Sequence, residues 1–386
     1  MKKILSTMLV GALLAGAAFA DMSFTYTGSA ILGGTSKKIN SADRNDCFNL
    51  AFSNEIAGAV LDFDITDDTN LALDSYYGWL TFALPAGSLQ ITSGKWTARN
   101  VNRVNGDAGD LDAYQNYFEM FKPGVINGVI ARDIDNLTGW VSSEADGTVK
   151  VEKNMATVLA YTLNDTLPGS LMVKFGLVDA TGKAYGNDVT SYNDSDSEYI
   201  IKSSFVGEVC YAQEDVIKLN LAVKSPIKDV YGFGLFVSPL GIENLDLTAG
   251  FSMGTSNQED ADYTEMGFDL RARYALSDKF ALTTMHNYSS VDNDGTETKA
   301  MWNMLGASYV AGENIRFIAS ISNIVNNFDA KVGTDCQFDI TPACEIKASE
   351  KATVTAGFNM RWENKKPYAG EVNGKVSLPI TVTFAL

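Results

Sequence analysis

The sequence predicts an all-β fold, a transmembrane antiparallel up-and-down β-barrel of about sixteen to eighteen strands, and three observations carry that prediction. Apolar and polar residues alternate with period two almost everywhere after Asp21, with turn residues between the runs and no convincing amphipathic helix. The run Val376 to Leu386 places Val376, Leu378, Ile380, Val382, Phe384 and Leu386 on one face and Ser377, Pro379, Thr381, Thr383 and Ala385 on the other. At the other end, Lys2 and Lys3 precede an apolar stretch and Ala18-Phe19-Ala20, the layout of a cleavable secretory signal over residues 1–20, which leaves 21–386 as the barrel. An exposed apolar-faced terminal strand invites aggregation unless a partner strand covers its edge, and closing a barrel supplies one.

The clearest strands are Asn244 to Met253, Tyr263 to Leu276, Asn314 to Ser322 and Ser349 to Trp362. On Tyr263 to Leu276, Met266, Phe268, Leu270, Ala272 and Tyr274 form the apolar face, and Glu265, Gly267, Asp269, Arg271 and Arg273 the other. Such charge density is foreign to a dry sandwich core. Tyr76, Tyr77, Trp79, Tyr199, Tyr211, Tyr274, Tyr309 and Trp362 fall near proposed strand ends, where amphipathic rings suit a membrane boundary and equally suit any β-protein.

Connection lengths sort by side. With the last strand descending, the tight connections Leu84 to Ser88, Asn164 to Gly169, Pro239 to Asn244, Leu276 to Lys279 and Ala311 to Asn314 fall on one side, as periplasmic turns do. The polar connections Gly33 to Asp46, Thr97 to Glu152, Ala180 to Ser197, Gly254 to Asp260, Asp292 to Thr298 and Glu363 to Gly370 fall on the other. This parity also requires short strands near Cys47 to Ser53 and Lys331 to Ile340.

In signal, strand pattern, loop order and terminal amphipathic strand the chain resembles the bacterial outer-membrane porins, without a residue-level fingerprint. That family's usual last residue is phenylalanine, whereas here Phe384 is followed by Ala385 and Leu386, which keeps the outward phase. The resemblance implies that the third surface loop, Thr97 to Glu152, folds into the lumen and narrows it, and that homotrimers form.

The polar faces assign Lys174, Lys202, Lys218, Lys224, Arg271, Arg273, Arg316, Lys351, Arg361 and Lys375 to the pore wall against Asp62, Asp64, Glu208, Asp246, Glu265 and Asp269, a wall that leans basic. The third loop leans acidic: Asp107, Asp110, Asp112, Glu119, Asp133, Asp135, Glu144, Asp146 and Glu152 outnumber Arg99, Arg103, Lys122, Arg132 and Lys150. An acidic loop opposite a basic wall sets up a transverse field that orders water and favours polar solutes. Plain solvated faces are the alternative, as is mutual neutralisation of Arg271 and Arg273 by Glu265 and Asp269.

Other chemistries fit less well. The one histidine, His286, lies three residues before Ser289 and so faces the opposite side of a strand, while Ser290 on its own side is about 13 Å away. A triad assembled between strands stays open, and His286 reads as a wall or interface residue, so no catalytic residue is assigned. The acidic run Asp62 to Asp68 lacks the central Gly of a calcium loop and has Leu73 where the closing Glu belongs, Asp292 to Gly295 has no following acid at the required distance, and Asp294-Gly295 reads as a hairpin turn. Neither a metal site nor a cofactor is assigned. Cys336 and Cys344 are close enough in sequence to pair in an oxidising compartment.

The chain's 47 Asp plus Glu against 30 Lys plus Arg disfavour nucleic acid as a partner. The expectation is therefore an outer-membrane porin, not an enzyme, set in outer-membrane lipid and passing small hydrophilic solutes and ions. A surface adhesin or structural barrel, and an exported soluble sandwich, are the alternatives.

Overall fold

The computed structural model describes residues 21–35, 38–65, 71–96, 139–143, 149–153, 155–163, 167–179, 182–184, 187–189, 205–225, 229–258, 261–326, 335–364 and 373–385. The expected signal segment 1–20, residue Leu386 and most of the third loop lie outside them.

Every described element is a strand. In chain order these are β1 (Asp21–Thr35), β2 (Lys38–Ser53), β3 (Ala57–Ile65), β4 (Leu71–Leu84), β5 (Gly87–Lys95), β6 (Gly139–Ser143), β7 (Val149–Lys153), β8 (Met155–Leu163), β9 (Ser170–Asp179), β10 (Gly182–Ala184), β11 (Asn187–Val189) and β12 (Phe205–Gln213). They continue with β13 (Ile217–Ser225), β14 (Val230–Pro239), β15 (Leu245–Gln258), β16 (Ala261–Ser277), β17 (Phe280–Asn293), β18 (Thr296–Val310), β19 (Ile315–Asn326), β20 (Asp335–Ser349), β21 (Ala352–Gly357), β22 (Asn359–Asn364) and β23 (Asn373–Ala385). The pairs β6–β7 and β10–β11 are separate hairpins within the third and fourth surface loops, and β6 lies against β10.

All other strands join one antiparallel sheet, each pairing with the next along the chain. The sheet closes, because β1 pairs with β2 on one side and with β23 on the other, from Thr25↔Ala385 to Gly34↔Val376. β21 and β22 both lie between β20 and β23 in one continuous register, so they form a single stave and the barrel has eighteen. The interruption at Phe358 has a local cause. Its two neighbours across the sheet are Pro342, which lacks an N–H, and the stretch beside Pro379, which lacks one too, so the ladder loses donors on both sides. Phe358 N still donates to Pro342 O at 2.9 Å.

The tight turns gather on one rim, as their short lengths require. At β2–β3, Asn54 Oδ1 accepts from Ile56 N and Ala57 N at 3.0 and 2.8 Å. At β16–β17, Ser277 Oγ accepts from Lys279 N and Phe280 N at 3.3 and 3.2 Å. Asp21 opposite Ser53 and Ala385 opposite Thr25 bring both ends of the described chain to the same rim.

Several connections expected to be loops are strand instead. Gly33 to Asp46 is almost wholly a β1–β2 ladder ending at Thr35↔Lys38, and Gly254 to Gln258 pairs with Ala261 to Glu265. Asp292 and Asn293 pair with Glu297 and Thr296 around the Asp294-Gly295 turn, and β22 runs on through Asn364. These ribbons rise beyond the apolar belt, where the ladder's own hydrogen bonds stabilise polar residues with no hydrophobic periodicity to announce them.

The two faces of the sheet are inverted relative to a soluble protein. On β9, Val173, Phe175 and Leu177 are exposed while Lys174, Gly176 and Val178 are buried. On β16, Met266, Phe268 and Leu270 are exposed while Glu265, Gly267 and Arg271 are buried. Each large apolar side chain left in water forgoes about 1.5–3 kcal/mol, so an exterior of this kind is stable only against hydrocarbon.

Candidate functional site: the inner wall

Register assigns the inner face without ambiguity. Following cross-strand partners from β9, Lys174 opposes Glu208, Glu208 opposes Ala222, and Ala222 opposes Gly234, and the same parity runs on through Ser252, Gly267, Ser289, Ala300 and their partners around the ring. Of the residues expected on the wall, Lys174, Lys218, Glu265, Arg271, Arg273 and Arg316 share this face. Asp269 and Arg361 occupy inner register positions as well.

Lys351 is a correction. It sits in the Glu350-Lys351 turn on the short-turn rim, exposed, with its N donating to Ser349 Oγ at 3.2 Å. The strand starts at Ala352, three residues later than the alternation implies, because the Ser349 side chain closes the hairpin first. Lys202, and Arg99, Arg103, Asp107, Asp110, Asp112 and Glu119 of the third loop, lie outside the described residues.

The inner wall has two unlike halves. From β5 to β14 it carries an apolar cluster of Trp96, Ala156, Val158, Val178, Val206, Ala222, Val230 and Phe236, capped by Tyr77, whose ring stacks on Trp96 at 5.6 Å. Within this half Lys174 Nζ lies 2.6 Å from Glu208 Oε2, with side chains 8% and 0% exposed, and Asn220 Nδ2 donates to Glu208 Oε1. Two opposite charges so enclosed persist only as a pair, since either alone would be buried without compensation.

From β15 to β22 the wall is mainly polar, with Met285, Met304 and Ile318 as buried apolar side chains among the polar ones. Arg316 Nη2 binds both Glu345 oxygens at 2.9 and 3.0 Å, and Arg273 Nη1 stands 3.7 Å from Asp246. Asn359 Nδ2 donates to Asp339 Oδ1 at 3.1 Å and Thr341 Oγ1 at 2.8 Å, and Tyr263 donates to Glu265 at 2.5 Å. Thr283, Asn287, Ser289, Ser320 and Ser322 fill the intervals. The described basic groups are thus interleaved with acids, and Arg273 finds Asp246 on the neighbouring strand. Sequence reasoning missed Glu345 and Asp339 because their strand, interrupted by Pro342, read as short. It also missed the apolar half, whose small Val and Ala residues look like ordinary strand filler.

The remaining candidates lie elsewhere. His286 faces outward opposite Leu270 and Asn303, while Ser289 faces inward opposite Gly267 and Ala300. Cys336 and Cys344 occupy one strand, β20, eight positions apart, a span of about 27 Å that excludes a bond between them. Among the described residues no group of three or more His, Cys, Asp or Glu side chains could hold a metal ion.

A closed sheet with a hydrocarbon-compatible exterior and a polar half-lumen is an outer-membrane β-barrel of porin-like fold. Solved structures agree. An anion-selective porin from Comamonas acidovorans superposes with a TM-score of 0.55 at 10% identity over 95% of this chain and 99% of that one. OccK3 of Pseudomonas aeruginosa gives 0.55 at 8% identity, covering 97% and 99%, and OccK11 of the same organism gives 0.54 at 8%, covering 95% and 96%. No family profile matches the sequence, and no curated protein does.

Proposed function

We propose that this barrel is a passive porin, carrying small hydrophilic solutes and ions down their gradients through the lumen. The observation that carries the reading is the polar track on the inner face from β15 to β22, where Arg271, Arg273, Arg316, Glu265, Glu345 and Asp339 stand among hydroxyl and amide side chains. The charged, hydroxyl and amide side chains of this face offer hydrogen bonds to water and to a passing solute. The similarity to an anion-selective porin supports a channel role.

The protein does no covalent chemistry in this reading and uses no cofactor. Its partners are outer-membrane lipid, the solutes, and further copies of itself in a homotrimer. Purified, folded protein added to a planar bilayer should produce discrete conductance steps in symmetrical salt. A folded barrel that inserts without conducting would favour a second reading, a ligand-binding surface barrel, which draws on the adjoining hairpins β6–β7 and β10–β11 of the surface loops.

A further inference from the structure

Three neighbouring staves of the polar half, β17, β18 and β19, stand apart from those beside them. Beyond Arg316 at the short-turn rim, their inner register positions carry no Asp, Glu, Lys or Arg as far as Asn293, Thr296 and Asn326. The charges that flank this stripe have partners on their far sides. Arg273, opposite Thr283, stands 3.7 Å from Asp246 on β15, and Asp339, opposite Ser322, accepts from Asn359 Nδ2 on β22. Arg271, opposite Met285, borders the stripe directly.

Four polar atoms within the stripe lack a partner. Thr283, Asn287, Ser320 and Ser322 are 1%, 5%, 4% and 4% exposed, and Thr283 Oγ1, Asn287 Oδ1, Ser320 Oγ and Ser322 Oγ have no hydrogen-bond partner among the described residues. An enclosed polar atom left unpaired is costly, and native structures rarely keep one without a use.

Register brings the four together. Thr283 and Ser320 share one cross-strand row, about 10 Å apart, and Gly306 between them contributes no side chain. The next row toward the surface loops holds Met285, Met304 and Ser322, and the row beyond it holds Asn287 and Trp302. Hydrogen-bonding groups thus alternate with the apolar surface of two thioethers and an indole.

We infer that the inner face of β17 to β19, centred on Thr283, Asn287, Ser320 and Ser322, binds an uncharged polyhydroxylated solute of monosaccharide size. The chemistry selects the class. A serine or threonine hydroxyl both donates and accepts, while Asn287 Oδ1 only accepts. A sugar hydroxyl also does both, so it can answer all four atoms, and the C–H faces of its ring suit Met285, Met304 and Trp302. A carboxylate or phosphate has no proton for Asn287 Oδ1, and an ammonium group has no lone pair for the hydroxyls. A net charge would also give up hydration against staves whose one charged side chain, Arg316, is already held by Glu345. The inference rests on the porin reading for passage, whereas binding can be read without conduction.

Saturation-transfer NMR on the folded full chain in detergent tests it with three probes of similar size: glucose, gluconate and protonated glucosamine. Glucose should show saturable transfer, and each charged probe should show weaker transfer at the same concentration. The variant T283V/S320A/S322A, shown to be folded by its heat-dependent gel mobility, should raise the half-saturating glucose concentration roughly tenfold or more. Equal or stronger transfer to gluconate would make Arg271 the selecting group and overturn the inference. Equal or stronger transfer to glucosamine, glucose transfer that never saturates, or a folded variant that binds glucose unchanged would overturn it too. Should the variant fail to fold, the three probes on the unsubstituted protein decide alone. Conductance of the same preparation keeps the two readings apart: conduction without saturable glucose transfer sinks the site and leaves the channel, and glucose binding by a silent barrel does the reverse.

Discussion

Lys174 and Glu208 face each other across β9 and β12 on the inner wall, 2.6 Å apart, with the carboxylate fully enclosed and also bound by Asn220. Removing one partner strands the other. Lys174→Met alone is expected to lower barrel stability by about 3–5 kcal/mol, and adding Glu208→Leu to recover most of that loss. Urea titrations of folding into lipid vesicles will read both, and equal stability for the single variant would show that the pair is dispensable.

Two glycines make opposite demands on the backbone. Gly94 has φ +150°, and a Cβ there would meet Tyr76 O at 2.2 Å, whereas Gly295 has φ +75° with nothing within 4 Å. Gly94→Ala is therefore expected to cost about 2–4 kcal/mol through strain and overlap. Gly295→Ala should cost only about 1 kcal/mol, from the left-handed conformation of the turn it shares with Asp294, φ 50°. The ranking, measured in the same titration, is the test.

Arg271 and Arg273 rise side by side in register on the inner face of β16, the first buried and the second half-buried. If they lie along the path of permeating ions, replacing both with Ser should shift the zero-current potential under a salt gradient toward cation preference. An unchanged potential would assign them to wall structure alone.

Cys336 and Cys344 are expected to remain unlinked to one another under oxidising conditions. Mass spectrometry of unreduced peptides should find no bond between them, since the rigid β20 ladder holds them about 27 Å apart.

Where residues alternate with apolar partners, the fold was readable. The outward phase of Val382 in β23, the fifth-strand position of β5 before the longest connection, and the Asp294-Gly295 turn all stand where alternation and turn chemistry put them. The polar ribbon of Gly33 to Asp46 was not readable, because pairing beyond the membrane needs no apolar face. Lys351 misled for the opposite reason: it keeps the alternating phase, but a serine side chain closes the turn first. The cross-strand partners Arg316 and Glu345, or Lys174 and Glu208, depend on registers between strands, which alternation within one strand does not contain.

The central claim is that water and small solutes pass through this cylinder. Proteoliposome swelling with a graded series of neutral sugars tests it most directly. The account predicts swelling rates that rise above those of protein-free vesicles for the smallest sugars and fall steeply with size, as a water-filled lumen lined by Arg316, Glu345, Asp339 and Asn359 requires. Folded, inserted protein that leaves the rates at the protein-free level for every sugar would contradict it.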